Sequence, residues 1–153
     1  MNDFLAAYAI GEAAVARTTK DIDALQDVLN DFNAAMQVIT KGRIEVSVGE
    51  RANSAKAYYG LPAAEIRKFC MPIILHMKGQ DPKQGKEVGY MRWAGYGLVS
   101  GLEIRMRSTS DSMAHNIQQV REHFVRFLKD GRNVAFIQAM LGPDFDAEIS
   151  EAA

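Results

Sequence analysis

Apolar residues recur at helical spacing from the start of the chain. Phe4, Leu5, Tyr8, Glu12 and Val15 fall at three- and four-residue steps, which predicts a first helix over 3–17 with one mostly apolar face. Thr18 and Thr19 read as its end. Thr19 then caps a second segment in which Asp21 and Asp23 suit the positive helix terminus and Ile22, Leu25, Val28, Leu29, Phe32, Met36 and Ile39 make a core stripe over 20–40. The short connection predicts an antiparallel helical hairpin.

Gly42 stops that pattern, and Ile44, Val46 and Val48 alternate with Arg43, Glu45 and Ser47, the period of a half-buried strand over 43–48. Residues 50–59 suit a short helix ended by Gly60. Pro62 then opens another helix carrying Ile66, Phe69, Cys70, Ile73, Ile74 and Met77, which Pro72 bends or ends near Cys70. The polar stretch 78–86 is a loop. Two further strands are expected at 88–93 and 98–107, turning through Ala94-Gly95-Tyr96-Gly97, although 88–101 also fits a Gly-rich packed helix. Ser110 caps a long helix over 111–130, with Met113, Ile117, Val120, Phe124, Phe127 and Leu128 at helical spacing. Val134, Ile137, Met140 and Leu141 form a last short helix closed by Gly142-Pro143, before an acidic tail over 144–153.

The expected fold class is α+β and helix-dominated: an N-terminal helical hairpin, a small antiparallel sheet (43–48, 88–93, 98–107) and the long helix, with an all-α fold as the alternative. The 153 residues, 48% hydrophobic and 24% charged, are enough for a single globular domain over 1–153. Cys70 is the only cysteine, so secretion gains no support from a disulfide framework and a reducing cytoplasm is the expectation. The longest apolar run, Phe69 to Leu75, holds seven residues with Pro72 among them, against the roughly 20 that cross a bilayer, so no membrane association is expected.

Chemistry-bearing patterns are few. His76, His115 and His123 make no chelating pair. His115 and His123 lie eight residues apart, about 80° apart around a helix. Gly97-Leu98-Val99-Ser100-Gly101 has the wrong register for a nucleophile elbow, and the third glycine of a dinucleotide fingerprint is displaced to Gly101. Asp21, Asp23, Asp27 and Asp31 occupy the polar side of a helix, and Cys70 sits on an apolar face as a packing thiol. Neither a catalytic residue, a metal site nor a cofactor is expected.

Charge is more informative than motif. The chain balances 18 basic against 19 acidic residues, for a net charge of -1, so it is no indiscriminate polycation. Yet residues 1–40 sum to -4, residues 41–107 to +6 and residues 108–153 to -3. The basic middle also holds Trp93, Tyr58, Tyr59, Tyr90 and Tyr96, and arginine beside aromatic rings is interface chemistry. Arg43, Arg92, Trp93, Tyr96, Arg105 and Arg107 are the candidate contact residues. The expected function is a non-catalytic protein-interaction or self-associating module, binding a protein partner or a second copy through this patch. Two other classes are a phosphate-binding assembly protein for RNA or DNA, with Trp93 or Tyr96 stacking on bases, and a small-molecule enzyme assembled from residues distant in sequence. The segment Ile66-Arg67-Lys68-Phe69-Cys70-Met71, with the aromatic-rich stretch from Tyr90 to Tyr96, resembles a core segment of flexible filamentous plant-virus coat proteins over six contiguous positions. That resemblance implies self-assembly with RNA and assigns no residue a role.

Overall fold

The computed structural model describes residues 2–49, 70–94, 97–107 and 112–143. Element order is α1 (Asn2–Ile39), β1 (Ile44–Val48), β2 (Cys70–Met77), a 3-10 turn (Pro82–Gln84), β3 (Lys86–Trp93), β4 (Leu102–Met106), β5 (Ser112–Ala114), α2 (Ile117–Lys129) and α3 (Gly131–Leu141). The five strands form one antiparallel meander in the order β1-β2-β3-β4-β5. This is an α+β fold in which helix outweighs strand. The expected helix over 50–59, the helix start at Pro62, the Ser110 cap and the acidic tail lie outside the described residues.

The predicted N-terminal hairpin is corrected to one continuous helix of 38 residues. Thr18 and Thr19 do not end it, because their hydroxyls donate to the carbonyls of Ala14 (2.9 Å) and Val15 (3.1 Å) one turn back. Gly11 lies inside the helix at a cost of about 1 kcal/mol relative to alanine. Termination comes where Lys41 and Gly42 adopt positive φ and the Gly42 N–H donates to the Gln37 carbonyl at 2.8 Å.

α1 also covers the free edge of the sheet. Asn33 Oδ1 accepts the Val46 N–H at 3.0 Å and Gln37 Nε2 donates to the Ile44 carbonyl at 2.9 Å, so these edge groups of β1 are taken by the helix. Behind this seam lies the core: Leu25, Leu29, Phe32 and Met36 of α1 meet Ile73, Leu75, Met91, Leu102 and Ile104 of the sheet and Val120, Phe124 and Phe127 of α2.

Residues 70–77, expected as a bent helix, form strand β2 instead. Both faces of this strand are buried, at Ile73 and Leu75 on one side and Ile74 and His76 on the other, so its sequence shows an unbroken apolar run and no alternation. Pro72 fits because its carbonyl accepts the Gly49 N–H at 3.0 Å. Its missing donor therefore faces the same side, past the end of β1, where no ladder bond is lost.

The expected strand over 98–107 shortens to β4, and the expected helix over 111–130 begins later, after β5. Its cap is Asn116: Oδ1 accepts the Gln119 N–H at 2.9 Å, while Gln119 Oε1 accepts the His115 N–H at 2.7 Å.

Candidate functional site

The six residues expected to share one contact patch are placed in different parts of the molecule. Arg92 and Arg105 share the sheet face turned away from α1, with Glu103 opposite Arg92 and Tyr90 opposite Arg105 in the ladder. Arg92 Nε donates to Glu103 Oε2 at 2.8 Å, so that charge is already neutralised. Trp93 follows Arg92 in β3 and points to the other face, half-buried against the core. Arg43 and Arg107 both meet α3: the Arg43 guanidinium donates to the Leu141 carbonyl at 3.4 Å, and that of Arg107 lies 4.2 Å from the centre of the Phe136 ring. Tyr96 lies outside the described residues.

Two histidine–serine pairs went unnoticed in the sequence. His76 Nδ1 donates to the Met77 carbonyl at 3.1 Å, which leaves Nε2 to accept the Ser47 hydroxyl at 2.7 Å. His123 Nε2 lies 3.0 Å from Ser112 Oγ. Both imidazoles are buried, so the pairs tie β1 to β2 and β5 to α2 rather than presenting a nucleophile. Burial, followed by the neighbouring Arg126 charge, holds His123 below its ordinary value of 6.5, against the smaller opposing effect of Glu122. A histidine with a lowered folded value contributes stability that is complete above 6.5 and is lost as pH falls below it, because the unfolded chain takes up the proton first. Thermal melts should therefore show wild-type protein losing more stability between pH 7.5 and about pH 5 than His123→Gln. Equal losses would remove His123 as the source.

Among the described residues, exposed large apolar side chains concentrate in the first half of α1. A seam of alternating four- and three-residue steps runs through Phe4, Tyr8, Gly11, Val15, Thr18, Ile22, Leu25, Leu29, Phe32 and Met36. From Leu25 onward it is core, with Leu25 at 4% and Met36 at 0% exposure. Before that it is open, with Phe4 at 76%, Tyr8 at 69% and Val15 at 52%, and Leu5 and Ile10 flank it equally uncovered. The domain begins to cover α1 near Thr18 and Asp21: Asp21 Oδ2 accepts the Leu98 N–H at 2.9 Å. A Cβ on Gly97 would lie 2.8 Å from that carboxylate and 3.0 Å from Thr18 Oγ1, so only glycine permits this approach. Beside this junction, Arg17, Lys20, Leu98, Val99, His115 and Ile117 line a cleft of about 360 Å³.

Among the described residues, no three His, Cys, Asp or Glu side chains converge as a metal site would require, and no helix is long and apolar enough to cross a membrane. No protein-family model, curated protein or solved structure matches the chain.

Proposed function

We propose that this protein is a non-catalytic association module whose contact surface is the projecting first half of α1. One observation carries the reading: the seam that forms core from Leu25 to Met36 continues uncovered from Phe4 to Val15. A helical segment of about 15 residues without tertiary packing is marginal in water, and contiguous apolar surface of this kind marks an interaction site. A membrane surface suits it less, since residues 1–16 hold Asp3 and Glu12 and neither Lys nor Arg. The single cysteine fits a reducing, cytoplasmic setting. The central arginines support the reading less directly, because Arg92 is held by Glu103 and the aromatic Trp93 faces the core.

Light scattering after size exclusion tests this. Wild-type protein at tens of micromolar is expected to run at a multiple of 16.9 kDa. Tyr8→Glu with Val15→Glu should weaken the association at least ~100-fold, since each charge would be buried without a partner. Both positions lie outside the core, so the thermal transition of the domain should persist. An unchanged mass in the double variant sinks the proposal, as does a wild-type monomer. Nucleic-acid absorbance under the wild-type peak would turn attention to RNA or DNA binding.

A further inference from the structure

We infer that the occupant of the α1 seam is a second copy of this chain, lying antiparallel and crossing at Gly11; the inference rests on the association reading above. Direction follows from where the domain sits. The core packs on the seam face of α1 from Leu25 onward, and the 97–101 turn reaches Thr18 and Asp21. A parallel partner on that face would have to run its own second half, with its domain attached, through the space this core occupies. An antiparallel partner carries its own second half and domain away from this core, and its first turn stops against the 97–101 turn.

Register follows from the same limits. Overlap is confined to 4–18, which sets Phe4 against Thr18 and Gly11 against Gly11 about a two-fold axis, and brings Tyr8 between Ala14 and Val15. Gly11 otherwise has no use, since a Cβ built there meets nothing within 4 Å while glycine weakens the helix. At the crossing, two glycines let the helix axes approach at the short end of the usual range.

Charge agrees with this direction. Arg17 and Lys20 stand beside the cleft with no ion pair among the described residues, and the antiparallel arrangement brings them the partner's first turn, which carries Asp3. Val99, 75% exposed at the cleft edge, is then covered by the same turn. Glu12 approaches its own copy on the flank of the crossing, where water and salt screen the repulsion. Phe4, Leu5, Tyr8 and Val15 in the overlap, with Val99 at its end, together expose an area on the order of 600 Å² per chain, about the lower limit of one partner's share in a stable interface.

Cysteine cross-linking decides the arrangement, with peptide mapping to separate the new links from any at Cys70. On mild oxidation, Gly11→Cys should link to itself at least ten times more than Phe4→Cys does. Mixing Phe4→Cys with Thr18→Cys, or Tyr8→Cys with Val15→Cys, should give the mixed dimer. The second mixture gives the register even where a side chain at 11 hinders the crossing. Self-links at both 4 and 18 would mean parallel helices and overturn the arrangement while leaving association intact. A dimer mass with none of these links would place the contact elsewhere and overturn it too. A wild-type chain that scatters as a monomer defeats the association reading itself.

Discussion

Phe32→Ala is expected to lower the unfolding free energy by about 3–5 kcal/mol, while Phe4→Ala, on the same seam of the same helix, changes it by less than about 0.5 kcal/mol in dilute monomer. Phe32 is buried where α1, α2 and the sheet meet, with its ring 4.8 Å from that of Phe124 at 51° and 6.1 Å from that of Phe127 at 76°. Truncation removes the transfer energy of the ring, leaves a cavity between two helices that are themselves anchored to strands, and deletes two tilted aromatic contacts worth about 0.5–1.5 kcal/mol each. For a domain of this size each kcal/mol shifts the melting temperature by roughly 2–4 °C, so Phe32→Ala should melt about 6–20 °C below wild type. Denaturant titration at low protein concentration measures both variants. A cost under about 1 kcal/mol at Phe32 would show that the seam is not the core described here.

That contrast also marks the limit of what hydropathy reveals. The period of α1 identifies its apolar face from Phe4 to Met36 but carries no information on what covers each part, so the first half looked like one arm of a hairpin. Threonines 18 and 19 favoured that reading because hydroxyl side chains often end helices, whereas here they bond back into the preceding turn. β1 and β4 were legible because apolar and polar residues alternate along them, whereas in β3 the buried Val88 and Met91 differ in parity across a register shift. β2 was not, since burial on both sides erases the alternation. The late start of α2 was signalled by Asn116 and Gln119, a pair of capping side chains that Ser110 overshadowed.

Parity along strands would have sharpened the contact patch. Arg92 and Trp93 are adjacent in β3, so they cannot share a face, and a reading that joined them mixed the two sides of the sheet. Arg105 and Arg107 have the same parity, yet β4 ends at Met106, and beyond it Arg107 turns onto Phe136. No rule of spacing anticipates that turn, because it depends on α3 packing at the strand end. Arg43 reaches the same helix at Leu141. α3 thus takes up two of the arginines that the charge map had assigned to a partner.

What locks α3 in place is Asn133, and Asn133→Asp should cost about 3–5 kcal/mol. Fully buried, Asn133 Nδ2 donates to the Arg107 carbonyl at 3.1 Å and to the Phe127 carbonyl at 3.0 Å, joining the end of β4, the end of α2 and the start of α3. A carboxylate of the same shape has no proton to offer at neutral pH. It would set oxygen against two carbonyl oxygens and bury a charge as well. Asn133→Ala should cost less, about 1–3 kcal/mol, because it strands the two carbonyls but also removes Oδ1, a buried acceptor with no partner among the described residues. The two variants separate further with pH. Burial raises the introduced carboxyl above its usual value near 3.9, and once protonated it donates to one of the carbonyls, so its deficit against wild type is full at neutral pH and shrinks as pH falls through that raised value. Asn133→Ala has no such dependence. Urea midpoints for both variants and wild type at pH 7.5 and about pH 5 measure this difference. A carboxylate variant no less stable than the alanine one at pH 7.5, or one whose deficit widens in acid, would mean that the Asn133 bonds do not hold the three elements together.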